Sequence, residues 1–109
     1  MSDRLASSAE VAVATGADVP GLLLHPNDEV VVLLTAASVG DAIVVGECER
    51  LTSLSSIPAG HKVARTALAG GALIHKYGQP IGRLTSSVER GEHVHCHNLV
   101  SLRAVGGAR

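Results

Sequence analysis

The chain has 109 residues, with nine Lys and Arg against ten Asp and Glu for a formal net charge of −1, a length that sets the scale at one domain with one core. That core must be aliphatic, because there is no Trp, no Phe and a single Tyr. The absence of a Lys/Arg cluster and of an aromatic platform excludes a nucleic-acid surface, and no apolar run approaches the roughly 18 residues of a membrane span.

Val, Leu, Ile and Ala come in short runs broken by glycine, and β-branched residues so spaced favour short strands over long helices, so the fold is read as mostly β. Residues 1–20 are small and polar, punctuated by Gly16 and Pro20, and are expected to form a flexible arm. Their acidic Asp3 and weak apolar segment do not make a signal peptide, which leaves the cytoplasm as the default location. The domain proper is expected over residues 21–103, followed by a frayed tail at 104–109.

LLLHPNDEVVVLL predicts an apolar strand, a turn at Pro26-Asn27-Asp28 with Asp28 capping backbone N–H groups there, and a second strand from Val30 to Leu34. From that point a beat recurs: an apolar residue, two spacers, Gly, two spacers, an apolar residue. It reads Ala37-Gly40-Ile43, Ile57-Gly60-Val63, Leu68-Gly71-Ile74 and Val88-Gly91-Val94, and each glycine marks a tight turn that needs a positive φ. The glycines are 20, 11 and 20 residues apart, too irregular for a solenoid. Gly46 predicts a hairpin between Ile43-Val45 and the segment near Leu51, with 53–58 a connecting loop.

The chemistry concentrates between Ile74 and Asn98. IHKYGQPIG places His75, Lys76, Tyr77 and Gly78 in a row, and the one aromatic ring is expected to be buried with a partner for its hydroxyl. In GEHVHCHN, a strand would send His93, His95 and His97 to one face and Val94, Cys96 and Asn98 to the other, so Cys96 is expected in the core. On a flat strand, neighbours in this stripe are about 6.6–7 Å apart and His93 and His97 about 13 Å. Two of the three imidazoles therefore have the spacing to share an ion, with His25, His61 or Asp28 completing its shell. The same rings also suit proton transfer near neutral pH, or a solvated surface. Cys48 and Cys96 lack CxxC spacing and are read as a reduced pair.

The segments LHPNDEVVVLL, IPAGHKVA, HKYGQPIG and GEHVHCHN, in that order, resemble the N-terminal SAF-type domain of the altronate and galactarate dehydratase family of hydro-lyases, over Leu22 to Leu102. The small subunit of sulfolactate sulfo-lyase is a close relative in the same family. The resemblance implies a β-clip fold and a small subunit of a sugar-acid dehydratase whose active site a large catalytic subunit completes. It implies a divalent metal, Fe²⁺, supplied mainly by that large subunit, a small sugar-acid substrate and compatibility with a homo-oligomer. Carried over to this sequence, it points to His61, Lys62, Lys76, Tyr77, His95 and His97 as catalytic, Asp28, Gly78 and Asn98 as substrate-binding, and His25, His95 and His97 as metal ligands. Glu29 departs from the family motif, which usually has Asn after the Asp. A sulfite-eliminating small subunit, a non-catalytic β-clip module that binds carbohydrate or organises assembly, and a small metal-binding β protein that works alone are the alternatives.

Overall fold

The computed structural model describes residues 17–102, so most of the expected arm and all of the expected tail lie outside the described residues. Among the described residues nine short strands follow one another: β1 (Asp18–Leu22), β2 (Val30–Leu33), β3 (Ala42–Val45), β4 (Glu49–Thr52), β5 (Lys62–Ala64), β6 (Leu73–Lys76), β7 (Gln79–Leu84), β8 (His93–Val94) and β9 (Leu99–Ser101). The mostly-β expectation holds. Six strands form a sheet in the order β4-β3-β1-β2-β5-β8, and three form a second sheet in the order β9-β7-β6. Neighbours run antiparallel except β1 and β3, which are parallel. Strand β1 begins at Asp18, upstream of the boundary read at Gly21, and lies between β2 and β3 with Val19 buried.

Strands β2 and β5 are buried on both faces, which is why VVVL reads as a continuous apolar run and not as an alternation. On one side Val31, Leu33 and Val63 pack with Val19, Ile43, Val45, Leu51 and Ile57. On the other, Val30 and Ala64 pack with Ile74, Leu84, Val88 and Val94. The core is thus two aliphatic halves sharing a two-stranded wall.

The glycine beat builds both halves. Gly40, Gly60, Gly71 and Gly91 all have φ between 84° and 91°, and in each turn the residue after the glycine donates its N–H to the carbonyl three residues back. This is the third position of a type II turn, where a side chain is disfavoured. The apolar residues that open the beats pair with each other: Ala37 bridges Ile57, and Leu68 bridges Val88. The uneven intervals therefore conceal one duplicated unit. Gly40 and Gly71 lie 31 residues apart, as do Gly60 and Gly91 and the bridged pairs. The hydrogen bonds repeat at the same offset: Gly40 N–H donates to Ser53 O and Gly71 N–H to Leu84 O, while Gly60 N–H donates to Leu33 O and Gly91 N–H to Ala64 O.

β3 and β4 form the expected hairpin around Gly46. The second hairpin, β6–β7, turns on Tyr77 (φ 57°) and Gly78 (φ 74°), the two-residue loop with both central φ positive that matches strand twist. Asp28 holds it. This carboxylate is 2 % exposed and accepts the N–H groups of Tyr77 (2.8 Å) and Gly78 (2.9 Å), so it caps a turn fifty residues downstream and not its own, as its position had led us to expect. Asp28→Asn keeps one acceptor and turns an amide donor toward the other N–H. It should cost about 1–2 kcal/mol in a urea melt, without loss of the strand signal in circular dichroism.

Candidate functional site

Strand β8 carries His93 and Val94 only, and pairs with β5 so that Lys62 faces Val94 and Val63 faces His93. Continuing that register by one residue sets His61 opposite His95. Their rings stack with centroids 3.8 Å apart and 18° between planes. His61 Nδ1 and His93 Nε2 share a proton across 2.8 Å, and ligand nitrogens of His61, His93 and His95 all lie within 4.8 Å of one another. Among the described residues this is the one set of three His, Cys, Asp or Glu side chains brought so close.

The stripe expected on a flat strand is interrupted. After Val94 the backbone turns, and Asn98, 4 % exposed, knits the turn: its Oδ1 accepts His95 N–H, its Nδ2–H₂ donates to His93 O and its backbone N–H donates to His95 O. The fold-back brings the His93 and His97 rings to 5.0 Å, far closer than strand spacing allows. It also turns Cys96 out to solvent instead of into the core, and both cysteines are free. A run of alternating His was legible; the buried amide that bends it was not, because Asn98 was placed on the opposite face of a strand expected to continue.

Lys62 lies beside the imidazoles. With His95, Cys96, Ile81, Leu99 and Ser101 it lines a hollow of about 260 Å³ at the join of the two sheets. Burial lowers the Lys62 ammonium from its usual range, and the Lys76 charge adds to the effect. His93 is pushed down to about 4, first by burial and then by His97, His61, His95 and Lys62, all of them bases. His95 is lowered for similar reasons, burial first, then His61, Lys62 and His97. His93 and His95 are thus biased toward the neutral ring, whose nitrogen lone pairs beside Lys62 are equipped to ligate a cation, move a proton or hold an acid group.

The chain matches the family model for the altronate/galactarate dehydratase SAF domain over residues 20–102, a stretch that contains all four motifs singled out from the sequence. It belongs to that family. Curated relatives are subunit alpha of (2R)-sulfolactate sulfo-lyase from Paracoccus pantotrophus, 46% identical over 54 residues that make up 50% of this chain and 81% of the relative, and altronate dehydratase from Escherichia coli, 37% identical over 75 residues, 69% of this chain and 15% of that enzyme. Subunit alpha of the same sulfo-lyase from Chromohalobacter salexigens is 46% identical over 48 residues, 44% of this chain and 51% of the relative. The chain thus spans most of one relative, half of another and a small part of the third. Among the described residues, no helix is long and apolar enough to cross a membrane.

Within this SAF domain the remaining sequence-selected residues form a second group around the β6–β7 hairpin. His25 is set against the hairpin: its Nδ1 accepts Asn27 N–H at 3.1 Å, and a Cβ on Gly78 would meet its ring at 3.0 Å. It is not part of the imidazole trio, whereas His93, left out of the selected set, is at its centre. Tyr77 is 64 % exposed at the hairpin tip, not buried as the lack of other aromatics had led us to expect, because a two-residue loop has no interior to pack against. Asp28 and Asn98 have their side chains committed to backbone groups, so their part is to hold the loops that carry the other residues. Glu29, the departure from the motif, clasps His75: its Oε1 accepts His75 N–H at 2.7 Å and its Oε2 lies 2.8 Å from Nδ1. Sequence spacing gave no signal for this pair, because 46 residues separate the partners.

The lowered His93 value has a consequence for acid stability. In the unfolded chain the ring takes a proton near 6.5, in the folded one only near 4, so between those values the unfolded state binds more protons and stability falls as pH falls. In metal-free protein the loss from this ring should be roughly 1–2 kcal/mol between pH 7 and pH 4, discounted because the ring is partly solvated. His93→Gln should flatten that part of the profile in urea melts.

Proposed function

We propose that the chain is the SAF-type small subunit of a lyase that eliminates water from a sugar acid such as altronate, lending imidazole and ammonium groups to an active site that a large subunit completes. The reading is carried by the convergence of His61, His93 and His95 beside Lys62 in a domain whose relatives are lyases. Elimination from a 2-hydroxy acid needs a base for the C2 proton, cations for the carboxylate as negative charge develops on it, and an acid for the group leaving C3. The enol so formed becomes the 2-keto acid by taking a proton at C3.

The residues suit those parts. Lys62, whose ammonium is lowered in part by the Lys76 charge, holds the carboxylate together with Lys76. His61, His95 and His97 supply ring nitrogens that ligate the ion or carry protons, and Tyr77, with Gly78 on a hairpin fixed by Asp28, presents a phenol from an exposed tip toward substrate or partner. A divalent metal, Fe²⁺ in this reading, would supply Lewis-acid stabilisation of the enediolate. The domain alone offers a hollow of about 260 Å³ open at its rim, so the rest of the pocket is assigned to the partner chain. The cytoplasm is the proposed location, and a homo-oligomer of the assembled enzyme fits the reading.

A second reading changes only the leaving group. The stretch shared with the Paracoccus subunit is 46% identical and makes up 81% of it, which favours sulfite leaving C3 of a sulfolactate-like acid. Co-expression with a large chain of the same family, followed by co-purification and product analysis, tests both: a 3-deoxy-2-keto sugar acid marks dehydration, pyruvate with sulfite marks the sulfo-lyase. Full activity of the isolated chain, or no affinity for any large chain, would sink the subunit role.

A further inference from the structure

We infer that this chain by itself holds one divalent first-row transition-metal ion, through ring nitrogens of His61, His93 and His95, with the remaining coordination positions left open. This deepens the cofactor part of the proposed function, since the sequence had led us to expect an ion held mainly by the large subunit.

Four observations carry it. The first is spacing: nitrogens bound to one such ion at about 2.0–2.1 Å are about 3–3.4 Å from each other, and the three ligand nitrogens here lie within 4.8 Å, with His61 and His93 already at 2.8 Å. Small ring rotations bring them to the required distances. The second is what the rings lack. One hydrogen bond joins His61 to His93, and three imidazoles sit face to face with basic neighbours, an arrangement that gains little as an apolar core or as an ion pair.

The third is support from outside the ring set. Asn98 fixes the backbone at both His93 and His95, while the β5–β8 pairing fixes His93 relative to the strand that follows His61, so the backbone that carries the rings is held before any ion arrives. The fourth is donor type. Imidazole nitrogens select Fe²⁺, Co²⁺, Zn²⁺ and their neighbours over Ca²⁺ or Mg²⁺, which prefer oxygen. Three protein ligands leave room for further ligands, the pattern of a catalytic site and not of a closed structural one.

The test uses the full purified chain, without partner, stripped with a chelator and titrated with Co²⁺ and, anaerobically, with Fe²⁺. One equivalent should bind, Co²⁺ should show the visible bands of a nitrogen-ligated ion, and the ring signals of His61, His93 and His95 should be the histidine signals shifted most in the NMR spectrum. His61→Ala, His93→Ala and His95→Ala should each weaken binding about 100-fold or more, while His25→Ala leaves it within about threefold. The NMR readout needs no substitution, so a variant that fails to fold does not spoil the test. Absence of saturable binding, or binding lost with His25→Ala and kept in the trio variants, overturns the inference. Turnover by the assembled enzyme with no ion on these rings also overturns it and leaves the lyase reading standing. A stoichiometric ion on the isolated chain with no turnover of any assembled form supports it and sinks the lyase reading alone.

Discussion

Gly91→Ala should lower the folding free energy by about 3–5 kcal/mol, whereas the same change at Gly40 should cost only about 1 kcal/mol. Both glycines hold the third position of a type II turn of the beat, Gly40 in the first turn of one unit and Gly91 in the second turn of the other, and both have φ 88°, so the strain of a left-handed backbone is common to them. Their surroundings differ. A Cβ on Gly40 would meet nothing within 4 Å, while one on Gly91 would overlap the backbone oxygen of Thr52, with Leu54 just beyond at 3.5 Å. A backbone carbonyl cannot swing aside as a side chain can. Either the turn 89–92 or the end of β4 must move, and Gly91 N–H and O both hold ladder bonds, to Ala64 O and from Leu54 N–H. Since a domain of this size is stable by about 5–15 kcal/mol, Gly91→Ala should bring it close to unfolding at 37 °C. Paired urea melts of the two variants measure the contrast. Equal losses would show that strain alone governs the beat and that packing between the halves is not set by Gly91.

That asymmetry marks how far the sequence could be read. The four glycines, their positive φ and the apolar residues on either side were legible because each follows from a local rule about turns. The 31-residue duplication was present in the same letters, yet reading intervals between successive glycines hid it; the relation appears only when Gly40 is compared with Gly71, and the bridge that closes each unit joins residues twenty apart. Long-range closure is what local patterns leave out. The same limit applies to the site. His61 and His95 were singled out, but the pairing that stacks them depends on β5 meeting β8, and their approach to His93 depends on an amide buried at Asn98. Tyr77 was placed inside by residue type and Cys96 by strand alternation, and both lie outside by backbone: one caps a two-residue hairpin, the other rides a turn where the strand stops.

In the lyase complex proposed above, His61→Ala or His95→Ala should lower kcat by about 10²–10⁴-fold with the complex still formed, the range expected when a positioned proton-transfer group or a metal ligand is lost. Lys62→Met should act differently. Its stem lines the apolar side of the hollow with Ile81 and Leu99, so the thioether replaces the methylenes and removes only the ammonium. If that charge holds the carboxylate in both ground and transition states, KM rises by about 10–100-fold and kcat changes little. The split separates the roles: imidazoles that act on the reacting atoms move kcat, an ammonium that anchors the acid moves KM. The competing reading, a β-clip module that only organises assembly, predicts that both histidine variants turn over like the parent once bound to the large chain. Steady-state kinetics on complexes matched for subunit content decide the matter. Unchanged kcat in His61→Ala and His95→Ala would remove this domain from the chemistry and leave it a scaffold.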